Sequence, residues 1–252
     1  MAPSYDELMQ RKADLYNGSA GKLTGYDCGA CKNKGFISTI ADGYEVLCVC
    51  TCMEIRNSRR RIKNSGLEGL LRECTFENYD AAQEWQIKAK SMAERFAGET
   101  DGSWLYFGGQ VGAGKTHLCT AVVGKLINSG KAARYMLWRD ESVRLKAVVN
   151  YEEEYIKAIN PLKSVDVLYI DDFFKTEEGK APTTADINLA FELLNYRYIN
   201  RNLLTIISSQ LFVDDIIDID EALGSRVYQR SKNYCFAIKH CRSRNWRLGR
   251  DE

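Results

Sequence analysis

The chain lacks an excess of charge of either sign: 35 Lys and Arg stand against 34 Asp and Glu, a net charge of +1. A dedicated nucleic-acid-binding protein is expected to be strongly basic, so a single copy should hold DNA only weakly. There is no apolar stretch long enough to span a bilayer, which argues against a membrane-bound protein. The polar start carries no apolar signal core. Ser4 and Glu7 are instead spaced as a helix capping box, and the expectation is a cytoplasmic protein with no membrane partner. Internal repeats, low-complexity tracts and long flexible linkers are also missing. With 252 residues, 45% of them hydrophobic, there is room for one large domain and a small one.

Nine cysteines are present, but their clustering argues against a disulfide scaffold. Five lie between Cys28 and Cys52, as a C-x2-C pair followed by Cys48-Val49-Cys50-Thr51-Cys52. A C-x-x-C turn converges two thiolates on one Zn²⁺, and a second pair on a returning strand closes a tetrahedral four-cysteine site. On a strand, residues two apart share a face, so Cys48 with Cys50 or Cys50 with Cys52 can serve. The preferred set is Cys28, Cys31, Cys50 and Cys52. The module is expected over Tyr26–Met53, with hairpin arms at 34–37 and 44–47 around Asp42-Gly43, and is too small to fold without its metal. A basic stretch, Arg56 to Lys63, follows as a solvated connector or a phosphate contact.

Gly109-Gln110-Val111-Gly112-Ala113-Gly114-Lys115-Thr116 is a complete G-x-x-x-x-G-K-[ST] loop directly after the strand-like run Trp104 to Phe107. In such a loop backbone N–H groups cradle phosphates, the lysine reaches the outer pair, and the Thr hydroxyl holds Mg²⁺ at a helix start. These residues, with His117, are the expected cofactor-binding set for ATP or GTP. Val167 to Ile170 then runs into Asp171-Asp172, an apolar strand ending in two carboxylates. A doubly wound sheet places its ligand at that end of its strands. Asp171 is expected to orient Mg²⁺ together with Thr116, and Asp172 to polarise the attacking water.

The elements around these motifs alternate. Helices are expected at 82–96, 115–128, 140–158 and 183–199, strands at 104–107, 134–138, 167–171 and 203–208. A helical 224–230 and the run 234–238 follow. This order predicts a parallel sheet flanked by helices. Arg226, Arg230, Arg242 and Arg244 gather in the tail, where an outer phosphate is within reach. No lid-like insertion marks a small-molecule kinase.

With these motifs in hand, the chain resembles the AAA+ replicative-helicase loaders of the DnaC/DnaI type, from bacteria and their phages. The resemblance runs over nearly the whole length. It rests on the cysteine cluster, Cys74-Thr75-Phe76-Glu77-Asn78-Tyr79, Gly114-Lys115-Thr116-His117-Leu118, Ile170-Asp171-Asp172, Ile207-Ser208-Ser209-Gln210 and Gly224-Ser225-Arg226. It implies an α/β AAA+ P-loop NTPase domain, a five-stranded parallel sheet flanked by helices, over 73–252. A small zinc-binding module and basic connector over 1–65 precede it and bind helicase. It implies ATP, Mg²⁺ and Zn²⁺ as cofactors, a hexameric DnaB-type helicase and single-stranded DNA as partners, and a homo-oligomer when ATP is bound. Lys115, Asp171 and Asp172 fall at catalytic positions, Arg230 at the arginine finger with Arg226 as competitor, and Arg242 at sensor 2. Sensor 1 is usually Asn or a small polar residue; here it falls on Ser209 or Gln210. IstB-type transposition ATPases share the core motifs without the cysteine pattern. DNA contacts are expected near Arg134, Arg139, Arg144 and Lys146.

Overall fold

The computed structural model describes residues 4–64, 67–99, 101–176 and 180–248. The chain divides into two compact units, Met1–Arg60 and Arg61–Glu252. Among the described residues no helix is long and apolar enough to cross a membrane.

The first unit begins with α1 (Tyr5–Gly18), capped as its spacing requires: Glu7 N donates to Ser4 Oγ, and Ser4 N to the Glu7 carboxylate. A hairpin follows, β1 (Phe36–Ala41) paired antiparallel with β2 (Tyr44–Val49). Its two-residue turn, Asp42-Gly43, lies at φ 52° and 80°, the left-handed pair that matches strand twist. The first strand therefore starts later than 34 and runs further than 37. Asn17 ties α1 to the hairpin, donating to Ser38 O at 2.8 Å and accepting from Ser38 N at 2.9 Å. The final carbonyls of α1 have no helical partner. Lys34 Nζ reaches Tyr16 O (2.6 Å) and Ser19 O, and Lys32 Nζ reaches Gly18 O (2.9 Å), placing cations at the negative end of the helix. Helix α2 (Cys52–Asn64) carries the basic stretch. Its Arg56 donates to Thr24 O, Tyr26 O and Asn33 Oδ1, and Arg59 to Gly25 O, so both are spent on the cysteine-bearing loop.

The second unit is a five-stranded sheet of order β4-β5-β6-β3-β7, with all four neighbouring pairs parallel. Its strands are β3 (Trp104–Gly109), β4 (Ala133–Leu137), β5 (Val167–Phe173), β6 (Leu204–Ser209) and β7 (Cys235–Ile238). Helices α3 (Leu67–Glu73), α4 (Glu84–Phe96), α5 (Lys115–Asn128), α6 (Trp138–Ala147), α7 (Glu152–Ser164), α8 (Thr184–Ile199), α9 (Val213–Ile219) and α10 (Glu221–Ser231) accompany it. The helices expected over 140–158 are α6 and α7, which start two residues earlier and end six residues later than that span. Trp138, expected to end a strand, opens α6 and meets Phe173 and Phe174 edge-on at 4.9 and 5.4 Å. Burial of its indole against the sheet overrides a strand-like local pattern.

One cation lies in the core of this unit. Arg197 of α8 is fully buried and donates to Thr205 Oγ1 and to the carbonyls of Leu162, Lys163, Val165 and Leu204. Burial pushes its guanidinium down to about 9. It thereby closes the backbone accounting where α7, β5 and β6 meet.

Candidate functional site

Because the sheet is parallel, β3, β5 and β6 deliver their carboxyl ends to the same edge. There the phosphate loop, Asp171 and the Ser208 region converge. Gly109, Gly112 and Gly114 all have positive φ. A Cβ on Gly109 would lie 2.2 Å from Ile238 O, so only glycine fits beside β7. Lys115 is buried, its Nζ donating to Gly109 O (2.6 Å) and Gln110 O (2.7 Å) across its own loop. Burial pushes its ammonium down to about 8, the charge of Arg247 adds to this, and Asp172 and Asp171 oppose it. An ammonium so poorly solvated, with only carbonyls as partners, is suited to receive an anion.

Thr116 Oγ1 donates to Asp171 Oδ1 at 3.3 Å, and Tyr135 OH to Asp171 Oδ2 at 3.2 Å. Ser208 Oγ also donates to Asp171, and it accepts from Asp172 N at 3.3 Å. The Asp171 carboxylate and Thr116 hydroxyl are thus adjacent oxygens of the kind that hold Mg²⁺ with phosphate. Asp172 lies beyond them, paired with Lys175 at 2.7 Å. Val111 is half-buried and Ala113 buried in the loop. His117 turns away to meet Thr75 O at 2.8 Å and the edge of Tyr79 at 5.2 Å. Tyr79 in turn packs on Gly114.

The remaining candidates are spread more widely. Arg230 donates to Gly102 O and Arg201 O and lies 6.0 Å over the Trp104 ring, at the amino end of β3. That end is the one opposite the phosphate loop, so Arg230 is not part of this chain's own loop site. Arg226 packs on Phe191 and Tyr198 and donates to Asn195. Arg242 is exposed. The tail touches the loop at two points: Cys241 N donates to Gln110 Oε1 at 3.0 Å, and Trp246 N donates to Gly112 O at 3.0 Å, with the Asn245 amide against Gly112. At the end of β6, Ser208 touches Asp171. Ser209 Oγ donates to Phe173 O and accepts from Leu211 N, while Gln210 is half-buried beyond the strand. Lys146 is held by Asp186 at 2.5 Å, whereas Arg139 and Arg144 are exposed. Tyr79 and Ser208 lie in stretches that carry the family resemblance but have no site role legible there, and Tyr135 and Asn245-Trp246 lie in no motif; each reaches the site through folding.

In the first unit, Cys28, Cys31, Cys50 and Cys52 are buried with their sulfurs within 4.8 Å of one another. Cys28–Cys50 and Cys31–Cys52 are 3.8 and 3.5 Å apart, close to the ~3.8 Å edge of a tetrahedron with zinc–sulfur bonds of about 2.3 Å. The donor set therefore fits Zn²⁺. Burial works against a charged Cys31, yet the Gly35 N–H and the three neighbouring thiols bring it down to about 6; burial drives Cys52 up to about 12. Cys48 is exposed, paired across the hairpin with Ile37. The strand ends at Val49, so Cys50 and Cys52 are not joined by strand alternation. Cys50 follows β2, Cys52 opens α2, and Met53 N donates back to Cys50 O.

Residues 70–230 match the family model of the bacterial DnaA ATPase domain. The phage-like element PBSX protein XkdC of Bacillus subtilis is 31% identical over 231 residues, covering 85% of this chain and 83% of that protein. The replicative helicase loader DnaC of Escherichia coli is 32% identical over 125 residues, 48% of this chain and 51% of that protein. Among solved structures, the DnaC helicase loader superposes with a TM-score of 0.55 at 21% identity, covering 67% of this chain and 97% of that one. DnaI gives 0.52 at 20% identity, covering 70% and 92%. Both show the same AAA+ fold, and the chain belongs to the bacterial DnaA ATPase-domain family.

Proposed function

We propose that this chain is an ATP-dependent helicase loader, which binds a hexameric DnaB-type helicase and delivers it onto single-stranded DNA at the start of replication. The observation that carries the reading is the pairing of a complete ATPase edge with a cysteine-held head. The N-terminal unit, with one Zn²⁺ in its four sulfurs, is the helicase-binding part; 73–252 forms the ATPase. Lys115 and the N–H groups of 109–117 hold the phosphates of ATP. Thr116 and Asp171 hold Mg²⁺, whose contribution is to neutralise charge between the outer phosphates. Asp172 polarises the attacking water, with Ser208 holding the two carboxylate residues in register. Arg230 acts in trans on the next subunit of an ATP-bound oligomer, leaving its present carbonyl partners. Near-neutral charge makes single-strand affinity a property of that oligomer, through avidity along the strand.

The test is loading of the cognate helicase onto a circular single strand by the full chain, read as subsequent unwinding. Loading should require ATP and be abolished by Lys115→Ala. Preference for duplex DNA with no response to helicase would replace this reading with an IstB-like role in transposition. For Arg230, mixtures of Arg230→Ala with Lys115→Ala subunits should recover part of the hydrolysis that each lacks alone. Failure to recover while both oligomerise removes Arg230 from the trans role.

A further inference from the structure

Asp172 is held by its own chain. Its carboxylate pairs with Lys175 Nζ at 2.7 Å, and Lys175 N donates to Asp172 O at 2.9 Å, closing a four-residue turn. The β5–β6 register shifts between Ile170 and Phe173, so the backbone leaves the ladder where the carboxylates begin. Asp172 and Phe174 both lie in the left-handed region, at φ 51° and 56°. Aspartate tolerates that region, whereas a bulky aromatic rarely enters it. Packing enforces it: Phe173 and Phe174 stack at 4.2 Å, and each meets Trp138 edge-on. The turn is therefore fixed by buried aromatic rings, while the ion pair on it is half-exposed, 39% for Lys175 and 30% for Asp172. A pair so placed is weak and open to screening by salt, which suits a restraint that opens.

We propose that Lys175 is a positioning residue that holds Asp172 in a low-turnover state, and that opening of this pair precedes hydrolysis. The inference rests on the reading in which Asp172 polarises the attacking water. A carboxylate oxygen that accepts from an ammonium has fewer positions left to accept from a water. Asp172 already lies close enough to the phosphate loop for its charge to act on the Lys115 ammonium, so the released carboxylate stands at the site's edge.

The experiment is hydrolysis of saturating ATP by the full chain, without DNA or helicase. Lys175→Met should raise kcat about fivefold, equivalent to about 1 kcal/mol, with KM within about twofold of the parent. Lys175→Arg should restore the low rate, which a loss of packing alone does not predict. Raising NaCl from about 0.05 to about 0.5 M should lift the parent rate towards that of Lys175→Met and leave the variant unchanged. Lys175→Gln serves in place of Lys175→Met if the latter unfolds. A Lys175→Met or Lys175→Gln rate at or below the parent's, with Asp172→Asn inactive, overturns the proposal and leaves the role of Asp172 standing. Normal hydrolysis by Asp172→Asn removes that role and the proposal with it.

Discussion

In the ATPase unit every residue of β3, from Trp104 to Gly109, is buried; in the N-terminal unit β2 leaves Tyr44, Val46, Leu47, Cys48 and Val49 exposed. The first unit by chain order has α1, a hairpin and the start of α2, with a small cluster of Tyr26, Ile37 and Met53 packed against four cysteines. The second has a sheet with a broad apolar core running from Trp104 to Val227. A domain with so little apolar burial does not offset its chain entropy, so the four thiols and the lysine contacts to the end of α1 carry a share that packing carries elsewhere. The two units therefore rest on different supports, a buried cluster of four thiols suited to a metal in one and a broad apolar core in the other.

The largest effect is expected from removing metal. Purified protein should contain about one Zn²⁺ per chain, and chelation or Cys31→Ser should unfold the N-terminal unit, since a structural zinc contributes on the order of 10 kcal/mol to such modules. Limited proteolysis should show cleavage confined to about the first 60 residues, with ATP binding retained. Cys48→Ser should change neither metal content nor proteolysis. Loss of ATP binding on chelation would show that the two supports are not separable.

On the apolar side, Arg197→Met should lower the stability of the ATPase unit by about 3–5 kcal/mol, because it strands buried acceptors in the core. Thermal unfolding checks it, and the zinc content of the variant should be normal. Next in size, Asp172→Asn should bind ATP like the parent and lose about 10²-fold or more in hydrolysis, whereas Lys115→Ala should lose binding itself. Equilibrium binding and single-turnover hydrolysis separate the two.

The smallest effect comes from pH. Burial first, then Arg247, place Lys115 at about 8 in the free protein, and phosphates bind its charged form. Bound phosphate raises that value, so binding takes up a proton at pH above about 8. ATP affinity should be level below pH 8 and fall by up to about tenfold per unit above it. A fluorescent-nucleotide titration from pH 7 to about 9.5 reads this directly; a flat profile would place Lys115 near its ordinary value.

Much of the site was legible because its residues are neighbours in sequence. The eight-residue loop, the paired carboxylates after an apolar strand, and two of the four cysteines each form a local pattern whose spacing implies its geometry. The second cysteine pair was found for a different reason than the one that holds: strand alternation suggested it, and the start of α2 supplies it. Trp138 illustrates the opposite case. A locally strand-like residue became the first residue of a helix because its ring packs on Phe173 and Phe174, contacts across 35 and 36 positions that no local window contains.

Sequence alone determined the phosphate loop, the carboxylate strand, the alternation of strands and helices, and the capped first helix, since each depends on interactions within a few residues. Tertiary structure alone decided that Ser208 and Tyr135 touch Asp171, that the Asn245-Trp246 tail touches Gly112, and that Arg230 lies at the far end of β3. The reason is the parallel sheet. Its strand order places β6 between β3 and β5, and that order is set by burial of whole strand faces, which no single segment encodes.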